Sequence, residues 1–381
     1  MNPVTLLQPP RIVFGNGCAR DCVEWLGQRG AKRILLVTSK SVRPQIEFLV
    51  EALNQSGREV IESKFIPPEP TLKFFEMLLA EAQGEKIDSV LGVGGGSALD
   101  VAKLIAALAQ SPQKVSDVLG INLLHGRQLP LVCLPTTAGT GSEVSPNAIL
   151  LDEGAELKKG VISPHLVPDA AFIDPLLTIS VPPDITAATG LDALTHCIEA
   201  FANKFAHPIT DQYALRGIRL ISENLLRAVR DGKNPEARAA VALGSFYGGL
   251  CLGPVNTAAV HALAYPLGGK FRIAHGVSNA ILLPEVLRFN LPAAPERYAD
   301  VAIALGIERN GSVQGTAQIG IECLAKLSRE CGVPQKLSEL QIPREAIPAM
   351  AKSALQVQRL LKNNLRPVTE ADATQIYEAL F

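Results

Sequence analysis

Short apolar runs bounded by polar residues mark the first half of the chain, and amphipathic stretches of helical period lie between them. The runs at 33–38 (RILLVT), 89–93 (SVLGV), 131–134 (LVCL) and 171–173 (AFI) read as buried strands. Residues 43–55 and 72–83 carry apolar side chains at three- and four-residue spacing, which predicts two helices. Strands separated by helices of this length make βαβ units, so a parallel sheet covered on both faces is expected.

The pattern changes after Ser180-Val181-Pro182-Pro183-Asp184. The paired prolines break the alternation, and little beyond them has the period of a strand. Helix-like stretches follow at 185–202, 209–230, 235–249 and 256–265, with several more toward Phe381. The expected organisation is an α/β domain over residues 1–181 and an all-helical domain over 182–381. A length of 381 residues agrees, because one hydrophobic core rarely grows that far. No internal repeat or low-complexity segment stands out.

Composition narrows the function classes. With 47% hydrophobic and 19% charged residues the chain can bury a sizeable core. A net charge of -1 argues against nucleic acid or an anionic membrane surface as the main partner. The opening MNPVTLLQPPRIVFG lacks the basic and apolar regions of a signal peptide, and no apolar segment is long enough to span a bilayer. Seven cysteines, at positions 18, 22, 133, 197, 251, 323 and 331, contain no CxxC pair and suit reduced thiols. A soluble cytoplasmic protein is expected.

Two constellations carry candidate chemistry. In the first, the strand at 89–93 runs into Gly94-Gly95-Gly96 and then into a helix-forming stretch from Ser97 through Asp100 and Lys103. Glycines let a backbone turn sharply and approach a ligand, and a helix N-terminus suits a pyrophosphate. This is not the GxGxxG fingerprint at a first βα turn, so a purely structural turn is the alternative. A second small-residue loop, Pro135-Thr136-Thr137-Ala138-Gly139-Thr140-Gly141-Ser142-Glu143, follows the strand at 131–134. Two such loops at carboxyl ends of parallel strands form the crevice in which open α/β sheets bind ligands. Ser142 reads as a loop residue rather than a nucleophile.

The second constellation opens at Gly190-Leu191-Asp192-Ala193-Leu194-Thr195-His196. Asp192 and His196, four apart, share a helix face and can converge on one ion. His261 and His275 flank Pro266 and Gly268-Gly269. In one continuous helix they would stand about 21 Å apart. The proline and glycines are expected to end the helix soon after His261 and let the chain fold back. One carboxylate and three imidazoles then suit a divalent ion acting as a Lewis acid on an alcohol or carbonyl oxygen. Fe(II), Zn(II), Co(II) and Ni(II) all accept such ligands, and a plain Asp–His pair on a helix surface is the alternative. Cys197 points about 100° away from His196 around the helix and should pack. His125, His165 and His207 sit in surface or turn contexts. Lys270 and Arg272 lie between two candidate ligands, where an anionic substrate group can be imagined; facing solvent or a subunit interface is the reading favoured.

Residues 94–103, 135–143, 190–199, 261–276 and 279–284 resemble the iron-containing (group III) alcohol dehydrogenases. The resemblance spans nearly the whole chain and is weakest after about residue 290. It implies a Rossmann-like N-terminal domain and an all-helical C-terminal domain, the architecture of dehydroquinate synthase, with the active site in the cleft between them. It implies Asp192, His196, His261 and His275 as metal ligands, Fe(II) foremost and Zn(II) next. It implies that Gly95, Gly96 and Ser97, with Asp100 behind them, hold the pyrophosphate of NAD or NADP. Thr136, Thr137 and Thr140 would line the cofactor, Lys158 would approach its ribose, and the enzyme would be a homodimer.

Three positions depart from the family pattern. Ser39 stands where many relatives place an acid on the adenine ribose, and with Lys40 and Arg43 nearby it suggests NADP or dual use. Tyr265 replaces a histidine that would relay a proton, so its hydroxyl or water must do so. Glu69 replaces an asparagine two residues before Thr71. The expected reaction is hydride transfer between NAD(P) and a small primary or secondary alcohol or aldehyde. A non-redox relative of dehydroquinate synthase and a nucleotide-binding protein without turnover are the competing readings.

Overall fold

The computed structural model describes residues 3–309 and 311–381. Strands among them are β1 (Arg11–Phe14), β2 (Arg33–Thr38), β3 (Glu59–Glu62), β4 (Ser89–Gly94), β5 (Gly120–Ile121), β6 (Leu131–Pro135), β7 (Asn147–Asp152), β8 (Leu157–Ile162) and β9 (Ala170–Ile173). They alternate with helices α1 (Asp21–Gln28), α2 (Glu47–Gln55), α3 (Leu72–Gly84), α4 (Gly96–Leu108) and α5 (Val115–Val118). Six strands form a parallel sheet in the order β1-β9-β6-β4-β2-β3.

Both faces of this sheet are buried, as crossover helices require. Ile34 and Leu36 of β2 pack with Trp25, Leu26, Leu49 and Leu53 of α1 and α2. Leu35 and Val37 point the other way, into a cluster with Phe75, Leu78, Leu99 and Ala102 of α3 and α4. Thr38 pairs with Val93, and Gly94 with Pro135. The carboxyl ends of β2, β4 and β6 therefore lie side by side, and Ser39, the glycine turn and the threonine loop begin there.

The structure adds what periodicity did not anticipate. A second sheet has the order β5-β8-β7, with β7 and β8 antiparallel. Its strands NAILLD and LKKGVI are partly exposed and mix lysine, glycine and apolar residues, so no clean alternation announces them.

After Val181 every element is helical among the described residues: α6 (Pro183–Phe201), α7 (Pro208–Arg230), α8 (Pro235–Leu252), α9 (Ala259–Phe271), α10 (His275–Asn290), α11 (Pro295–Ala304), α12 (Val313–Glu330), α13 (Ile347–Ala354), α14 (Gln358–Leu361) and α15 (Glu370–Glu378). The second proline of the Pro182-Pro183 pair opens α6, and Pro208, Pro235 and Pro295 open α7, α8 and α11. Proline at the first helical position loses no hydrogen bond and arrives with helical φ. Contacts divide the chain into two compact units. One comprises Leu7–Thr137 and Gly141–Ser180; the other holds Val181–Phe381, Ala138–Thr140 and the described residues up to Leu6. No helix of the described residues is long and apolar enough to cross a membrane.

One expectation is corrected. Helix α9 does not stop after His261 but continues through Pro266 and Gly268-Gly269 to Phe271. A proline inside a helix costs about 3 kcal/mol. Burial of Leu263 and Leu267, at roughly 2 kcal/mol each, offsets it. The reversal falls instead at Arg272, left-handed at φ 56, whose N–H donates to the Gly268 carbonyl while that of Ile273 donates to Leu267. Helix α10 begins three residues later, at His275.

Helices α7 and α8 meet at two glycines. A Cβ on Gly244 would lie 2.5 Å from Ile221 Cγ1 and 3.1 Å from the Gly217 carbonyl oxygen. Gly→Ala ordinarily stabilises a helix by about 1 kcal/mol, but overpacking costs about 1–3 kcal/mol. Gly244→Ala is therefore expected to lower the Tm in thermal unfolding; a higher Tm would show slack at this crossing.

Candidate active site

Helix α6 sets Asp192, His196 and Glu199 at spacings of four and seven residues, one above another on a single face. Asp192 Oδ1 lies 4.0 Å from His196 Nε2, 3.5 Å from His261 Nε2 of α9 and 3.7 Å from His275 Nε2 of α10. One ligand atom from each of Asp192, His261 and His275 falls within 4.8 Å of the others. The His196 ring stacks on His261 at 4.8 Å, completing the foursome. Asp192, His196 and His261 are buried, whereas the His275 side chain is 27% exposed and marks the side a substrate can reach.

The neighbours of these imidazoles decide what they offer. His196 Nδ1 lies 3.2 Å from the Gly139 carbonyl oxygen, which only accepts, so Nδ1 carries the hydrogen and Nε2 the lone pair. His261 Nδ1 is 2.6 Å from Glu199 Oε2 and is set the same way. Carboxylate or carbonyl partners behind metal-bound imidazoles are the usual support of such sites. Burial opposes ionisation of Asp192, but His196, His275 and His261 together hold its carboxyl below the usual range. Burial likewise lowers His261, yet Asp192 and Glu199 outweigh it and lift the imidazole to about 9. Near neutral pH its Nε2 therefore also holds a proton, which a bound cation would displace to free the lone pair. Burial pushes His196 down.

Asn279 stands in the middle. Its amide nitrogen donates to Asp192 Oδ1 at 2.6 Å and lies 3.1 and 3.3 Å from Nε2 of His261 and His275, while its buried oxygen has no hydrogen-bond partner among the described residues. An ionised carboxylate with imidazole lone pairs aimed at one small volume fits a divalent ion. A small residue makes the convergence possible. A Cβ on Gly276 would sit 2.1 Å from the Ala188 carbonyl oxygen, so only glycine lets α10 press on α6 one turn before Asp192.

In the α/β unit, Gly95 caps α4 and Gly96 and Ser97 are its first residues, with no acid in the first turn. The first N–H groups of a helix lack partners within it and suit a phosphate. Thr136 N–H donates to the Gly94 carbonyl, and Thr137 lies beside Gly95. Ser97 Oγ donates to the Pro68 carbonyl, and the neighbouring Glu69 binds Lys158 Nζ at 2.9 Å. The half-buried Asp100 carboxylate accepts from Ser142 Oγ and from the Ile149 N–H, so it ties the threonine loop to α4. Ser39 Oγ lies 3.2 Å from Ser41 Oγ. Arg43 donates to both Glu47 and Glu62, which commits the charge that a 2′-phosphate would have used.

The remaining candidates fall as follows. Tyr265, one turn beyond His261, has its ring 6.4 Å from that of His275, and its hydroxyl accepts from Arg359. Cys197 is buried with Sγ toward the Gly244 carbonyl. His125 and His165 are exposed, and His207 caps α7. Lys270 and Arg272 are exposed at the α9–α10 reversal. Glu199 and Asn279 were not singled out from the sequence. Glu199 had a usable signal, since it completes the Asp192–His196 face one turn further on. The Gly139 carbonyl and Arg359 had none.

An acid and three imidazoles in a helical unit, together with a glycine turn at the head of a parallel sheet, describe a class of enzyme that couples a Lewis acid to a dinucleotide. The sequence matches the family model for iron-containing alcohol dehydrogenase over residues 9–175 and that for the C-terminal region of the same family over 186–381. The chain belongs to the iron-containing alcohol dehydrogenase family and is an oxidoreductase acting on alcohol and aldehyde groups. It is 41% identical to long-chain-alcohol dehydrogenase 1 of Geobacillus thermodenitrificans over 100% of this chain and 98% of that one. It is 33% identical to the NAD-dependent methanol dehydrogenase of Bacillus methanolicus, over 97% of each. A solved structure of 1,3-propanediol oxidoreductase superposes with a TM-score of 0.96, at 36% identity over 100% of both chains.

Glu199 sets His261 from behind, so Glu199→Gln is expected to weaken Zn(II) binding by about 10- to 100-fold in a calorimetric titration. Gly276→Ala, which forces α10 off α6, should weaken it as well. Wild-type affinity in both variants would refute this account of the cluster.

Proposed function

We propose that this chain transfers a hydride between NAD and a small primary or secondary alcohol or aldehyde. Residues 1–181 would bear the dinucleotide site and residues 182–381 the metal and substrate site. Asp192, His196, His261 and His275 would hold one divalent ion, Fe(II) foremost and Zn(II) second. Gly95, Gly96, Ser97, Thr136, Thr137 and Thr140 would hold the dinucleotide, with Ser39 and Lys158 toward its riboses. The observation that carries the proposal is the hydrogen bonding of His196 and His261, whose Nδ1 partners turn both Nε2 lone pairs toward Asp192.

When bound, the ion supplies Lewis acidity to the substrate oxygen and the nicotinamide supplies the hydride. The chain supplies orientation. Glu199 and the Gly139 carbonyl fix two imidazoles, Asn279 fixes the Asp192 carboxylate, and Asp100 holds the threonine loop against α4. Tyr265 Oη accepts from Arg359, which leaves its own hydrogen for a proton relay. The same reading makes the enzyme a cytoplasmic homodimer; all seven cysteines are free thiols, in keeping with a reducing compartment.

The preference for NAD rests on Arg43. Its guanidinium is held by Glu47 and Glu62, whose carboxylates oppose a 2′-phosphate near the end of β2. The kcat/KM with NADH is expected to exceed that with NADPH by on the order of tenfold, about one charge–charge interaction near a surface. Equal values would remove the argument. For the reaction itself, the protein is loaded anaerobically with Fe(II) or Zn(II) and NADH oxidation is followed with small aldehydes. Turnover should require metal and fall at least on the order of a thousandfold in His261→Ala. If no metal supports turnover, the non-redox reading takes its place.

A further inference from the structure

Beside the metal cluster stands a cation whose only part in the reaction proposed above is to orient the Tyr265 hydroxyl. Arg359, on the short helix α14, is half-buried and donates to Tyr265 Oη, with its guanidinium carbon 5.6 Å from the centre of the tyrosine ring. The tyrosine ring is in turn 6.4 Å from that of His275, the one cluster imidazole with substantial exposure. Among the described residues Arg359 has no carboxylate partner, and the Tyr265 hydroxyl is its only hydrogen-bond acceptor. A guanidinium carries five N–H donors in a fixed fork, so most remain unanswered by the protein.

Charge balance sharpens the point. The carboxylates of Asp192 and Glu199 would neutralise a divalent ion held by neutral imidazoles. Arg359 is then the half-buried charge of the neighbourhood that no carboxylate among the described residues answers, and its free N–H donors are open to an anion. Lys270 and Arg272, the basic residues between His261 and His275, are exposed at the helix reversal and have no such constraint.

We propose that Arg359 is a specificity-determining residue that binds a carboxylate at the far end of the substrate, so that the preferred substrates are short aldehydes or alcohols bearing an acid group. The proposal rests on the dehydrogenase reading of the cluster. The substrate carbonyl or hydroxyl faces the histidines, and a few carbons away its carboxylate meets the guanidinium fork bidentately. Tyr265 holds the fork in place by accepting one N–H.

The test separates binding from turnover. Succinate and acetate are titrated calorimetrically into the metal-loaded enzyme with NADH. Both carry a carboxylate for the metal, but only succinate has a second one to offer Arg359. Wild type is expected to bind succinate about 10- to 100-fold tighter than acetate, the range for a hydrogen bond to a charged group. Arg359→Gln should erase most of that difference, and Arg359→Lys should keep part of it. In turnover, the kcat/KM ratio of succinic semialdehyde to butanal should fall by a similar factor in Arg359→Gln through KM. A wild type that prefers neither succinate nor the acid aldehyde overturns the proposal, whether or not the variants fold; so does an Arg359→Gln enzyme that keeps the preference. Loss of butanal turnover in wild type would instead strike the dehydrogenase reading, and the succinate titration would still decide the role of Arg359.

Discussion

A carboxylate buried among three imidazoles demands compensation on every side, and the helical unit is arranged to provide it. Asp192 is almost completely enclosed, where an unbalanced charge would be far too costly. His196, His261 and His275 approach it from three helices, and Asn279 donates to it directly. The constraint then propagates outward. An imidazole that turns its lone pair inward needs an acceptor behind it, which explains the otherwise unlikely burial of Glu199 on α6 and the position of the Gly139 carbonyl. Three helices can meet this tightly only where side chains are small, as at Ala188 against Gly276.

The α/β unit solves a parallel problem with one helix. The N-terminus of α4 faces the carboxyl ends of the strands, where a phosphate would lie. One turn further along, the same helix sends Asp100 to Ser142 and Ile149 and Lys103 to the carbonyls of Ser145 and Asn147. Burial pushes the Asp100 carboxyl up and the Lys103 ammonium down, and their 4.0 Å separation lets each moderate the other. The two loops that frame the proposed dinucleotide site are thus anchored to a single rigid element. Asp100 and Lys103 fix the positions of these loops through their hydrogen bonds.

What remains around the cluster bears on substrate choice. Under the proposed metal site, Tyr265 and Arg359 are two polar groups near the exposed edge at His275 with no part in holding the ion. A family scaffold fixes the chemistry at the metal, while residues on later helices decide what else on the substrate is recognised.

Several features were legible in the residues alone because their cause is local. Strands β2, β4, β6 and β9 announce themselves as unbroken apolar runs, since a parallel strand is buried on both faces. Asp192 and His196 show themselves through four-residue spacing, and Glu199 extends the same face. The glycine turn is written in consecutive positions. Other features depend on partners far away in the chain. The β7–β8 hairpin is half exposed and leaves no clean pattern. Pro266 and two glycines looked like the end of α9, but burial of Leu263 and Leu267 carried the helix on to Phe271 and moved the reversal to Arg272. Glu199 and His261 are 62 residues apart, His196 and Gly139 are 57, and Arg359 and Tyr265 are 94. The sequence by itself determined which side chains were available and which of them shared a helix face. Only the tertiary structure decided which faces met, because that depends on how closely helices can pack, and no local spacing records it.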